Sequence, residues 1–267
     1  MQGRDQDVIS TPETESVWWH SFASSSLGGA TGGLLCYPPE GFKKRSQTGQ
    51  KITFNPVEIY RGSGAFATSV MLASLTQMSF FKAFQSLPGY DKDSALWNVS
   101  SSLMSGMLGA TVGSTPVENI ILTQQLNKTN PLNAIKIMLG QGVFRPWVGL
   151  PQLAMREAGF GLTMLWGARA AYDAVLQLSD SASLAYGGQI AAGIVGATVT
   201  QPFDTMATYR QHRDGKISSV DTVKKIYSEK GFGGFFKGLK HRSVLFTGCA
   251  VTIPYVEEKI RNALAKN

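Results

Sequence analysis

The stretch Pro38-Pro39-Glu40-Gly41-Phe42-Lys43-Lys44-Arg45-Ser46-Gln47 sets a proline pair and four charged residues at the end of a run, Ser16 to Pro39, that is 24 residues long and holds no Asp, Glu, Lys or Arg. It aligns without gaps to Pro116-Val117-Glu118-Asn119-Ile120-Ile121-Leu122-Thr123-Gln124-Gln125 and to Pro202-Phe203-Asp204-Thr205-Met206-Ala207-Thr208-Tyr209-Arg210-Gln211. Each copy has proline first, an acid two residues later and glutamine nine later. A second signature follows every copy: Tyr60-Arg61-Gly62, Trp147-Val148-Gly149 and Phe236-Lys237-Gly238, the glycines being 87 and 89 residues apart. Recurrence of this length marks supersecondary units that bury their apolar faces against one another.

Charge-free runs set the scale of each unit. Besides the first run, Gly62 to Phe81 gives 20 uncharged residues, Ser94 to Val117 gives 24 and Ser181 to Phe203 gives 23. A helix of about 20 residues crosses a hydrocarbon core. Two further candidates carry flaws: Pro146 to Ala168 contains Arg156 and Glu157, and Ser243 to Val256 has only 14 residues before Glu257. The six segments predict an all-α membrane protein with both termini on one side. Only 16% of the residues are charged, where soluble globular proteins have about 25%. Mean hydropathy is near zero, yet abundant Gly, Ser, Thr and Ala suit close helix packing.

Loop charge supports the same topology. The connections after helices one, three and five (residues 40–61, 118–145 and 204–242) hold 17 Lys and Arg, and the opposite side holds 7. Acids divide 7 to 10, leaving net +10 against −3. Positive-inside sorting produces such an alternation, and a soluble helical protein has no reason to. The expected organisation is a polar tail over residues 1–15, then two-helix repeats at 16–93, 94–180 and 181–267. The first sixteen residues hold four acids and one base, which fits neither a secretory n-region nor an arginine-rich transit peptide. Internal signals are therefore expected to direct membrane entry.

The triple P-x-[DE]-x-x-[KR] pattern with its later glutamine, followed by the aromatic-[KR]-Gly element, resembles the mitochondrial carrier family over nearly the whole chain. The resemblance implies a pseudo-three-fold barrel of six tilted helices with alternating access to the two faces of the mitochondrial inner membrane. Both termini would then lie on the intermembrane-space side, and the basic connections in the matrix. A member encoded by an intracellular bacterium and sent to a host mitochondrion fits the same description.

Physics gives the motif its purpose. Proline removes a helix hydrogen bond and bends the backbone, so Pro38, Pro116 and Pro202 turn the odd helices toward a common axis. An acid and a base three residues apart share a helix face. A matrix gate is thus expected from Glu40, Lys43, Glu118 and Asp204, with Gln47, Gln125 and Gln211 beneath it. Ile121 and Ala207 stand where two of the three bases belong. In the family's pairing order Lys43 meets Asp204, which leaves Glu40 and Glu118 without their usual partners. The expectation is a weak, pH-sensitive gate, or else compensation by Lys44, Arg45 or water.

By the same resemblance, seven residues past each loop glycine stand the substrate contacts Ser69, Arg156 and Leu245, with Glu157 beside the arginine. An intramembrane charge is costly and by default functional, and a guanidinium binds carboxylate or phosphate through paired hydrogen bonds. Arg-acid at this point is similar to amino-acid and carboxylate carriers. Gly161-Leu162, one turn on, keeps a nucleotide carrier open as the alternative. The opposite, cytoplasmic-side gate is thin: Lys82, Arg169 and Glu258 stand twenty residues past the glycines, and Glu258 with Arg261 is the one fit to the pattern. Arg61, Gly62, Gly149, Lys237 and Gly238 are expected at lipid phosphates, with cardiolipin as the lipid implied.

Enzymatic readings have little to rest on. GFGG at 231–234 lacks the third glycine of a dinucleotide fingerprint, no phosphate-binding P-loop is present, and His20, His212 and His241 fall in different repeats. Cys36 and Cys249 match no metal or redox spacing. The reading is a non-enzymatic transporter without metal or cofactor, monomeric, with membrane lipids and a small-molecule substrate as partners and no nucleic acid. A carrier-shaped adaptor that has lost transport is the second class, since both gates depart from the pattern.

Overall fold

The computed structural model describes residues 18–179, 181–213 and 215–264; the tail expected at 1–15 lies outside the described residues. Among these the secondary structure is helical throughout, with no strand. Six long rods dominate: α1 (Trp18–Leu35) with α2 (Tyr37–Thr48), then α4 (Ser63–Gln85), α5 (Ala95–Gly109) with α6 (Thr115–Asn127), α8 (Leu150–Gly161) with α9 (Ala168–Leu178), α10 (Ala182–His212) and α12 (Leu239–Leu264). The connections carry α3 (Pro56–Ile59), α7 (Pro131–Gly140) and α11 (Ser219–Lys230). The first connection thus has four helical residues where the others have ten and twelve.

The rods close into a ring. α1 packs on α4, α4 on α5, α5 on α8, α8 and α9 on α10, α10 on α12, and α12 returns to α1. Small residues set the spacing. A Cβ at Gly113 would stand 2.9 Å from the backbone nitrogen of Ala73, and one at Gly161 would stand 2.7 Å from Ser102 O. Backbones therefore touch where larger side chains would hold the rods apart.

Each motif proline is accommodated differently. In the first rod the helix breaks at Cys36, and Pro38 enters the first turn of α2, where an amide is not needed for intrahelical bonding. In the third rod a π-helical turn, Ala110–Ser114, precedes Pro116. In the fifth, Pro202 lies inside the 31-residue α10. The fourth rod has a second π-helical turn, Leu162–Gly167, with no proline in it.

By length and hydropathy one helical stretch among the described residues, Pro56–Gln85, is long and apolar enough to cross a bilayer. Serines account for part of the shortfall elsewhere. Ser102 Oγ donates to Asn98 O at 2.7 Å and Ser105 Oγ to Ser101 O at 2.6 Å. Their hydroxyls are satisfied within α5, so a low hydropathy score overstates the polarity the helix presents.

Candidate gate and substrate site

Three equivalent attachments fix the kinked ends of the odd rods. The loop glycines Gly62, Gly149 and Gly238 have φ of 95°, 86° and 89°, left-handed values that glycine adopts freely, and each stands at the start of an even rod. Each lies against the next odd rod around the ring: Gly62 near Ile121, Gly149 near Gln211, Gly238 near Lys43 and Gln47. The residue three past each proline faces the carbonyl before the aromatic. Thr205 Oγ1 donates to Phe235 O at 2.8 Å and Asn119 Nδ2 to Pro146 O at 2.9 Å. In the first unit that residue is Gly41, where a Cβ would stand 3.2 Å from Ile59 O.

These attachments bring eight charged residues together: Glu40, Glu118, Glu157 and Asp204 with Lys43, Lys44, Arg156 and Arg242, none of them more than 6% exposed as a whole residue. Four acids and four bases leave the cluster formally neutral. Lys43 Nζ is 2.8 Å from Glu40 Oε2 and 3.1 Å from Asp204 Oδ1. Lys44 Nζ is 2.7 Å from Glu118 Oε2 and 3.9 Å from Glu40 Oε1. Arg156 Nη1 lies 2.5 Å from Glu118 Oε1 and 2.9 Å from Asp204 Oδ1. Its Nε donates to Glu157 Oε1 at 3.0 Å, and Nη2 donates to the same oxygen. Arg242 Nη2 donates to Thr200 Oγ1 at 2.7 Å, while Nη1 is 3.9 Å from Asp204 Oδ1.

The glutamines beneath serve three separate ends. Gln47 Nε2 donates to Asp204 Oδ2 at 2.6 Å and its Oε1 accepts from Thr208 at 3.1 Å. Gln125 Nε2 donates to the Tyr37 hydroxyl at 3.0 Å, and that hydroxyl donates to Arg61 O. Gln211 Nε2 reaches Val148 O at 3.4 Å.

Unpartnered carboxylates, one of the two outcomes open at positions 40 and 118, are not what this geometry holds. Lys44 takes the place of a missing base, whereas Arg45 turns away to Glu58 Oε2 at 3.3 Å. Arg156 is enclosed by acids rather than presented to an open chamber. Ser69 is buried, and Leu245 sits in an apolar cluster with Cys36, Tyr37, Phe66, Val117 and Ile121. Lys82 is exposed near the end of α4; the side chains of Arg169, Glu258 and Arg261 lie outside the described residues. Two cavities lie outside the cluster, lined by none of its eight charged residues. One of about 290 Å³ lies between the fourth rod and α10, against Trp166 and Val199. A smaller one of about 140 Å³ lies below Gln47 and Thr208, beside Arg213 and Lys230.

At the expected lipid positions, the buried Arg61 Nε has no partner. Partial burial, and next the nearby Lys230, hold the Lys237 ammonium below the usual lysine range.

Sequence reasoning missed Arg242 and Gln77. Arg242 is one turn past Gly238 and reads as the last charge of a basic connection. Gln77 is an uncharged residue in an uncharged run, yet its Nε2 donates to Glu157 Oε2 at 2.9 Å. No signal in the sequence marks it.

A helical ring closed near its kinks by buried ion pairs agrees with what the carrier resemblance implies. The family model described as mitochondrial carrier protein matches residues 177–266, the stretch that contains α10, α11 and α12, so the last third of the chain is similar to that family. Members of that family are transporters and generally sit in the mitochondrial inner membrane. No curated protein matches the chain.

Proposed function

We propose that the chain is an alternating-access solute carrier of the mitochondrial inner membrane. In this reading six helices cross the membrane in three two-helix repeats, the basic connections face the matrix, and the ion cluster is the closed matrix gate. The neutral cluster centred on Arg156 is the observation that carries the reading. Buried ion pairs add little net stability, because desolvation offsets attraction, so a cluster of eight is better suited to being broken on cue than to holding a fold together.

The substrate is a small zwitterionic or anionic metabolite of amino-acid or carboxylate type, and the charge balance favours the zwitterion. A carboxylate that takes Arg156 uncovers an acid in a buried site, which is costly unless a cation replaces the guanidinium. An amino acid brings its own ammonium. Gly161, the residue that kept a nucleotide alternative open, packs toward Ser102 O in the α5–α8 contact, which speaks against that alternative. The enclosure of Arg156 is the feature that favours the adaptor. Cardiolipin phosphate at Arg61 and Lys237, beside Gly62, Gly149 and Gly238, would satisfy the free Arg61 Nε and relieve the depressed Lys237.

Thermal unfolding of the purified protein with a panel of amino acids, carboxylates and nucleotides tests this reading. Stabilisation by amino or carboxylic acids that is lost in Arg156→Gln is expected. A panel in which no member raises the unfolding temperature supports the adaptor instead.

A further inference from the structure

We propose that the gate opens unevenly, first along the seam between the third and fifth rods, because Arg156 is the only ion-pair tie across that seam among the described residues. The proposal rests on the reading of the cluster as a matrix gate. It arises from an asymmetry that three matching motif bases would not produce.

The three seams are tied differently. The first and third rods are joined directly by Lys44 on Glu118, and the first and fifth by Lys43 on Asp204. Neither α6 nor α10 supplies a base for the other's acid, since Ile121 is packed into the apolar cluster and Ala207 has no charge. Their acids meet only through Arg156, which is borrowed from the fourth rod.

Losing Arg156 from this junction strands neither acid. Glu118 keeps Lys44, and Asp204 keeps Lys43, Gln47 and the more distant Arg242. Glu157 can leave with the arginine, to which it is held by two nitrogens. The first rod would therefore stay latched to both neighbours while the opposite seam parts. Weaker restraints remain there among the described residues: Lys44 Nζ, while on Glu118, also donates to Thr208 Oγ1 of α10 at 3.3 Å, and Arg145 Nη1 donates to Asn119 Oδ1 at 2.7 Å and Nη2 to Gln211 O at 2.9 Å. These acceptors are uncharged and lie toward the lower ends of the rods. Arg145 would act as the hinge and Arg156 as the latch.

Pulsed electron-electron resonance in nanodiscs reads each seam separately. Spin labels are placed pairwise at Lys51, Asn127 and Lys216, all exposed, after Cys36 and Cys249 are replaced by alanine. Arg156→Gln is expected to lengthen and broaden the 127–216 distance while the 51–127 and 51–216 distances hold. Lys44→Gln is expected to move 51–127 instead. If Arg156→Gln fails to fold by circular dichroism, Arg156→Lys replaces it, its single ammonium having fewer donors to share between two acids. Equal lengthening of all three pairs, or none, overturns the proposal. No solute is needed, so a carrier that fails to transport is distinguishable from a gate that opens symmetrically.

Discussion

Gln77 Nε2 on α4 donates to Glu157 Oε2 on α8, two rods separated by α5 in the ring, at 2.9 Å with both side chains buried. Glu157 in turn receives two nitrogens of Arg156, so an uncharged residue on the second rod fixes where the guanidinium points. Gln77→Leu removes a hydrogen bond to a charged group, worth about 1.5–3 kcal/mol. Thermal unfolding is expected to register that loss. A purely structural role would lower the unfolding temperature alone; the positioning role also raises the apparent KM for whichever solute stabilises the wild type.

Lys44 and its neighbour Arg45 make a sharper contrast. Breaking a buried pair by removing one partner costs about 3–5 kcal/mol, and Arg156 remains beside Glu118 to soften the loss. Arg45 and Glu58 form a more exposed pair, 12% and 29%, of the kind that contributes about 0–1 kcal/mol. Lys44→Gln is expected to lower the unfolding temperature clearly and raise solute leak in liposomes, and Arg45→Gln to do neither. Equal effects would mean that Lys44 does not close the gate.

Asn119 predicts a local failure. Its Nδ2 is within reach of Thr115 O, Pro146 O and Val148 O, and its Oδ1 accepts from Arg145. Asn119→Leu leaves buried polar groups unmatched, each costing about 1–3 kcal/mol. Hydrogen exchange should then accelerate around residues 145–150 before it does in α4.

Gly62 and Gly64 differ although only two residues apart. At Gly62, with φ of 95°, an added Cβ would stand 2.7 Å from the Tyr37 hydroxyl, whereas at Gly64 it would meet nothing within 4 Å. Gly62→Ala is expected to destabilise and Gly64→Ala, inside α4, to stabilise by roughly 0.5–1 kcal/mol. Paired melting curves check both signs.

The prolines and loop glycines were legible in the sequence because backbone chemistry fixes their effect: one removes an amide, the other permits positive φ. They gave the kinks and the starts of the even rods. The ion cluster was only partly legible. Lys43 meets Asp204 as the motif spacing implies, but Lys44, one residue on, is turned from it by about 100° around the helix and serves another seam. Arg242 and Arg156 enter from even rods, where no motif points at the acids. Such partners are set by tertiary geometry, and one sequence does not encode them as a spacing. The π-helical turn at Leu162–Gly167 is equally silent.

Uptake of radiolabelled amino and carboxylic acids into liposomes holding the purified wild type or Arg156→Gln tests the account most directly. Saturable uptake of at least one zwitterionic metabolite by the wild type, falling to the protein-free background in the variant, is the predicted result. Absence of saturable uptake across the panel, or uptake that the variant leaves unchanged, would contradict it.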